Sequence, residues 1–121
     1  MKSIEQLGIL AVQAEKVLAR ASSGLKNKAL LACAQALRSG ANDILEANRT
    51  DLDNSRAAGL SDALLDRLAL NEKRIEAMAA SIEEIAALPD PVGKIISGGK
   101  RPNGLMIQKV RVPLGVIGVI Y

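Results

Sequence analysis

Phenylalanine, tryptophan and histidine are absent from this chain; Tyr121 is its only aromatic residue and Cys33 its only cysteine. Each absence removes a class of function. One thiol cannot close an intrachain disulfide, so a disulfide-held secreted scaffold is excluded. Without histidine, a protein-ligated zinc site of the usual kind is excluded from these residues, and no metal is expected. A single terminal aromatic offers no stacking platform for nucleic acid, and a net charge of +3, from 16 basic and 13 acidic residues, is too dispersed to grip phosphates. No apolar run approaches the roughly 20 residues that cross a bilayer, and the N-terminus lacks the long apolar core of a secretion signal. No nucleic-acid partner, no membrane and a cytoplasmic location are therefore expected.

What is present is aliphatic. Of the 121 residues, 49% are hydrophobic, enough for a core built from Leu, Ile, Val, Ala and Met. Residues 1–88 read as a helical layer. Ile4, Leu7, Ala11, Ala14 and Leu18 recur at helical spacing behind a capping box formed by Ser3 and Gln6. Ser22-Ser23-Gly24 breaks that period. A second helix is predicted from about Leu25, with Leu25, Ala29, Ala32, Cys33, Ala36 and Leu37 as its buried stripe. After Ser39-Gly40, the residues Ile44, Leu45, Asn48 and Leu52 carry the period on to Gly59. Ser61 is a candidate N-cap for a short helix with Leu64, Leu65 and Leu68 on its apolar side, and Asn71 caps the next. That last helix aligns Ile75, Met78, Ala79, Ile82, Ile85 and Ala86 and must end at Leu88, because Pro89 cannot continue it.

At Pro89 the texture changes. Residues 89–112 carry Gly and Pro punctuation around two extended pieces, Gly93 to Ile96 and Leu105 to Val112, with Ser97-Gly98-Gly99 as a bracket and Pro102-Asn103-Gly104 as a tight turn. They are expected to form a hairpin or a pair of sheet-edge strands. Residues 113–121 are apolar at nearly every position, which suits a strand covered on both faces. Such a strand needs neighbours and two covering layers, so the 121 residues are expected to be the front part of something larger. Alone they should be helical but marginal or self-associating, through an unpaired strand edge.

The candidate chemistry is sparse. Cys33 sits in an Ala-rich helix with no histidine to serve as its base, and is read as a buried, inert thiol. Asp62 and Asp66 lie one helical turn apart, but helix-end and solvent roles suffice for them. Neither of the common Gly-rich phosphate fingerprints is present. Gly115 and Gly118 are either core residues or the lining of a cofactor cleft. In open parallel sheets ligands gather beyond the carboxyl ends of strands, which here means Ile120 and Tyr121.

The ordered set EAN, LLDRLAL, LPDPVG and VPLGVIGVIY, at residues 46–48, 64–70, 88–93 and 112–121, resembles the opening of the gamma-glutamyl phosphate reductases, also called glutamate-5-semialdehyde dehydrogenases, within the aldehyde dehydrogenase superfamily. The resemblance implies an α/β fold in which these residues supply the helices, an extended ribbon and the first strand of a Rossmann-like domain. It implies an NADPH-dependent, homo-oligomeric enzyme of proline biosynthesis that reduces L-glutamyl 5-phosphate to L-glutamate 5-semialdehyde. It also implies a catalytic cysteine well downstream that Cys33 does not match, so no catalytic residue is expected here, while Ile120 and Tyr121 begin the cofactor-contacting stretch. A non-catalytic helical interaction module and a different aldehyde dehydrogenase relative are the competing readings.

Overall fold

The structure, a computed structural model, describes residues 3–120. It is α/β and mostly helical, with α1 (Ile4–Leu18), α2 (Ser23–Ser39), α3 (Ala41–Ala57), α4 (Asp62–Leu68), α5 (Glu72–Ala87), β1 (Ile95–Lys100) and β2 (Met106–Val110). Asn27–Leu88 make one compact unit, and the chain on either side of it makes a second. No helix among the described residues is long and apolar enough to cross a membrane.

The helix starts follow from capping chemistry. Ser3 Oγ accepts the Gln6 N–H at 3.2 Å while Gln6 Oε1 accepts the Ser3 N–H at 3.0 Å, a complete capping box. Ser22 Oγ accepts the Leu25 N–H at the start of α2, and Asn71 Oδ1 accepts the Arg74 N–H at the start of α5. Ser61 occupies the N-cap of α4 with an extended backbone, yet its side chain makes no capping bond. A single residue, Gly40, separates α2 from α3, and a Cβ there would lie 3.2 Å from the Ala36 carbonyl oxygen.

In the Asn27–Leu88 unit the apolar core consists of Ala34, Ile75, Ala79 and Ala86. Three of these four side chains are alanines, so the core is built largely from small groups. The core corrects the expectation for α2: its inward face carries Leu30, Ala34 and Leu37, whereas Leu25, Ala29, Ala32, Cys33 and Ala36 are exposed. Cys33 is accordingly a free, exposed thiol, not a buried one. Apolar residues surround α2, so periodicity alone could not select a face. An ion pair does. Arg38, one turn beyond Ala34, donates to both Glu76 and Glu83 of α5, which lie two turns apart on that helix. The two carboxylates raise the guanidinium's pKa, and Arg38 in turn lowers theirs.

Asn48, 7% exposed, joins α3 to the α4–α5 connection. Its Nδ2 donates to the Leu68 carbonyl at 2.9 Å and its Oδ1 accepts the Leu70 N–H at 2.8 Å. One amide thus satisfies both backbone groups of a segment that has left helical geometry. Arg74 adds a second tie, donating to the Asp66 and Ala69 carbonyls at the end of α4, where a cation is favoured.

β1 and β2 form an antiparallel hairpin, pairing Ser97 with Lys109, Gly98 with Gln108, Gly99 with Ile107 and Lys100 with Met106. Ser97-Gly98-Gly99 therefore lies within the first strand instead of bracketing it. The reason is steric: a Cβ on Gly98 would sit 2.9 Å from the Ile107 carbonyl oxygen and 3.0 Å from Gln108 Cγ, so glycine lets the strands close. Bonds between Gly93 N–H and the Arg111 carbonyl (2.9 Å), and between Arg111 N–H and the Lys94 carbonyl (3.0 Å), extend the ladder toward its base. Beyond it, residues 113–120 form no strand, and among the described residues none of them makes a backbone hydrogen bond. The strand expected there finds no partner among the described residues, and a strand forms only where a neighbour completes its ladder.

Candidate functional site

The site begins where α5 stops. Leu88 is extended (φ −69°, ψ 146°) ahead of Pro89, and the chain then turns through Asp90-Pro91-Val92-Gly93. Asp90 Oδ1 accepts the Val92 N–H at 3.0 Å, closing an Asx turn, and Gly93 takes φ +81°, which favours glycine. The other carboxylate oxygen, Oδ2, accepts Ser23 Oγ–H at 2.8 Å and Lys26 Nζ–H at 2.5 Å, both from the first turn of α2. Asp90 thus clasps the start of a helix lying more than 60 residues earlier in sequence.

These bonds hold the Asp90 carboxyl down at about 2, through Lys26 first, then the Val92 N–H and Ser23. A carboxyl whose folded pKa lies below its unfolded value contributes stability above the unfolded value, and that contribution fades as pH falls through the folded one. Acid titration is therefore expected to weaken the clasp between about pH 4 and about pH 2. Asp90→Asn should flatten the stability change in that window; an unaltered acid limb, followed by ellipticity against urea at each pH, would refute the assignment.

Beside the clasp runs an open groove of about 470 Å³. Ala14 and Leu18 of α1 line one part, and Lys26, Val92, Pro113 and Val116 others. The charged members of its lining are Glu15 and Lys26, the latter already held by Asp90, and the start of the closing segment supplies part of an otherwise apolar wall through Pro113, Gly115 and Val116. Cys33 does not line it, and among the described residues no group of three or more His, Cys, Asp or Glu could hold a metal ion. What the arrangement can do is position the backbone that leads out of the groove.

Of the two residues picked as cofactor contacts, Ile120 is fully exposed at the end of that segment, and Tyr121 lies outside the described residues. Gly118 has nothing within 4 Å of where a Cβ would stand, so a flat group has access to the backbone there. The reading from sequence missed Ser23, Lys26 and Asp90. Two of them are ordinary first-turn residues and the third stands between prolines, so no local pattern ties them together.

No family model matches the chain. It does match curated proteins: it is 53% identical over 120 residues to gamma-glutamyl phosphate reductase from Gloeobacter violaceus, covering 97% of this chain and 29% of that protein. Over 115 residues it is 56% identical to the Rhodospirillum rubrum reductase, covering 95% of this chain and 27% of the relative. Among solved structures, the Thermotoga maritima gamma-glutamyl phosphate reductase superposes with a TM-score of 0.83 at 44% identity, over 85% of this chain and 25% of that one. The Saccharomyces cerevisiae enzyme gives the same score at 33% identity, over 93% and 29%. The chain thus spans less than a third of the relatives it matches. Identity near one half along almost every residue, with a shared backbone, places the chain in the gamma-glutamyl phosphate reductase family as the counterpart of its N-terminal part.

Proposed function

We propose that these residues open the cofactor-binding domain of a cytoplasmic, NADPH-dependent reductase of proline biosynthesis, one that converts L-glutamyl 5-phosphate to L-glutamate 5-semialdehyde and releases phosphate. The supporting observation is the match to proteins named gamma-glutamyl phosphate reductase, which runs through the closing VPLGVIGVIY segment. The bound dinucleotide would supply the hydride that replaces phosphate at the acyl carbon.

The described residues fit part of such a cofactor. Residues 116–120 present an exposed apolar edge, open at Gly118, that suits a flat ring, and Ile120 with Tyr121 is assigned to meet it. No Gly-rich turn into a helix accompanies them, so the phosphate-binding donors are assigned to other parts of the parent. The thiol, acid and base needed for acyl transfer are likewise assigned to the parent's remaining length, and the 121 residues alone should be inactive. In that parent the hairpin is assigned to subunit contacts in a homo-oligomer. Support comes from its exposure along both strands, with Ile95, Ile96, Met106 and Ile107 each at least half exposed.

An assay of the full-length parent tests the reading. L-Glutamate 5-semialdehyde, phosphate and NADP+ should generate NADPH in the reverse direction. Turnover of unrelated aldehydes with none of this substrate would overturn it.

A further inference from the structure

We propose that Asn103, at the tip of the hairpin, is a site of spontaneous and irreversible modification gated by its own turn, which withholds the reacting groups when closed and releases them when open. Of the chain's asparagines, only Asn103 is followed by glycine. Gly104 brings no side chain to shield its backbone nitrogen, and nothing lies within 4 Å of where a Cβ would stand. In the reaction, the Gly104 nitrogen loses its proton to hydroxide and attacks Asn103 Cγ. The Cγ–Nδ2 bond breaks, ammonia leaves with a proton, and a cyclic succinimide remains. Water then opens one or other succinimide carbonyl, giving aspartate or isoaspartate, and is the only co-reactant consumed.

The closed turn holds back both partners. Gly104 N–H donates to the Arg101 carbonyl at 2.8 Å, so the proton that must leave is engaged and the nitrogen faces away from the carboxamide. Asn103 Oδ1 accepts the Leu105 N–H at 3.2 Å, which turns the amide past Gly104 toward the following residue. Arg101 N–H donates to the Leu105 carbonyl at 2.8 Å and seals the ladder behind them. All three bonds lie within residues 101–105, so they belong to the turn itself and travel with it into a longer chain. The product changes the hairpin in kind. Residues 94–111 hold Lys94, Lys100, Arg101, Lys109 and Arg111 and no acidic residue, and either product sets a carboxylate two or three positions from Arg101 and Lys100. Isoaspartate also lengthens the main chain inside the turn, so the same bonds no longer close it. A transient opening thereby becomes permanent.

The test compares the full-length parent with a peptide of residues 101–107 at one mildly alkaline pH, following residue 103 by peptide mass and by enzymatic methylation of isoaspartate. The folded parent should convert at least about tenfold more slowly than the peptide, because only the open fraction reacts. Unfolding in urea should restore the peptide's rate. Gly98→Val, whose Cβ would meet the Ile107 carbonyl oxygen at 2.9 Å, should loosen the hairpin and speed conversion toward that of the peptide. A folded parent that converts as fast as the peptide would overturn the gating. So would a Gly98→Val parent that keeps wild-type ellipticity and converts no faster. Absence of conversion in both the peptide and the urea-unfolded parent would remove the site altogether. If Gly98→Val fails to fold, hydrogen exchange at the Gly104 amide of the wild-type parent decides the matter. Exchange and conversion should be slowed relative to the peptide by factors that agree within about threefold, since both report the same opening, and a larger mismatch would refute it.

Discussion

Asn48→Ala should cost the Asn27–Leu88 unit about 2–6 kcal/mol, since it strips the partner from two backbone groups at once and leaving a buried polar group unpaired costs about 1–3 kcal/mol each. The Leu68 carbonyl and the Leu70 N–H have no helical neighbour to take over, because the chain there is passing from α4 to α5. Asn48→Asp discriminates further. A carboxylate could still accept from Leu70, but it would turn an oxygen toward the Leu68 carbonyl and would itself be buried, so it should destabilise at least as much as alanine. Far-UV ellipticity against urea is the appropriate readout, because the chain has a single tyrosine and no tryptophan. A change below about 1 kcal/mol for both variants would mean that water reaches these groups and that the amide is not the joint between α3 and the α4–α5 connection.

The contrast between Asn48 and its neighbours shows which features a sequence displays. Ile44, Leu45, Asn48 and Leu52 do share the inward side of α3, as their spacing predicts, but spacing treats Asn48 as one more member of the stripe. Its role depends on an amide meeting a backbone 20 residues away, and no periodicity encodes that. Caps at Ser3 and Asn71 were legible because their partners lie three residues on. The buried face of α2 was not, since Cys33 and Ala34 are equally plausible core residues until Arg38 finds α5. Ser23, Lys26 and Asp90 were missed for the same reason, as separate local roles explain each of them. The hairpin was legible in kind but not in extent: glycine is usually a strand breaker, and at Gly98 it is what allows the strands to close on Gln108.

The largest effect is expected from the closing segment, through two experiments with opposite signs. Covering a Val or Ile side chain yields about 1.5–3 kcal/mol, and Val112, Leu114, Ile117, Val119 and Ile120 are all more than 60% exposed. With backbone donors and acceptors unpaired beside them, these residues favour pairing with another copy of the same segment. The 121-residue chain should therefore sediment with a weight-average mass that rises with concentration. Ile117→Lys should move it toward monomer by placing a charge in the middle of the sticky edge. In the full-length parent the same substitution should do harm. If the segment is an interior strand there, Ile117→Lys buries an unpaired ammonium and costs about 3 kcal/mol or more, enough to remove soluble, folded protein from a marginally stable domain. The paired outcome is diagnostic because a surface residue would respond to neither experiment, and a residue buried within this chain would unfold the 121 residues instead of solubilising them. A monomeric wild-type chain over a wide concentration range, combined with a parent that tolerates lysine at residue 117, would show that VPLGVIGVIY does not form an interior strand. The assignment of Ile120 and Tyr121 to a cofactor cleft would then lose its structural basis, because a ligand site at the carboxyl end of a strand requires that the strand be fixed within a sheet.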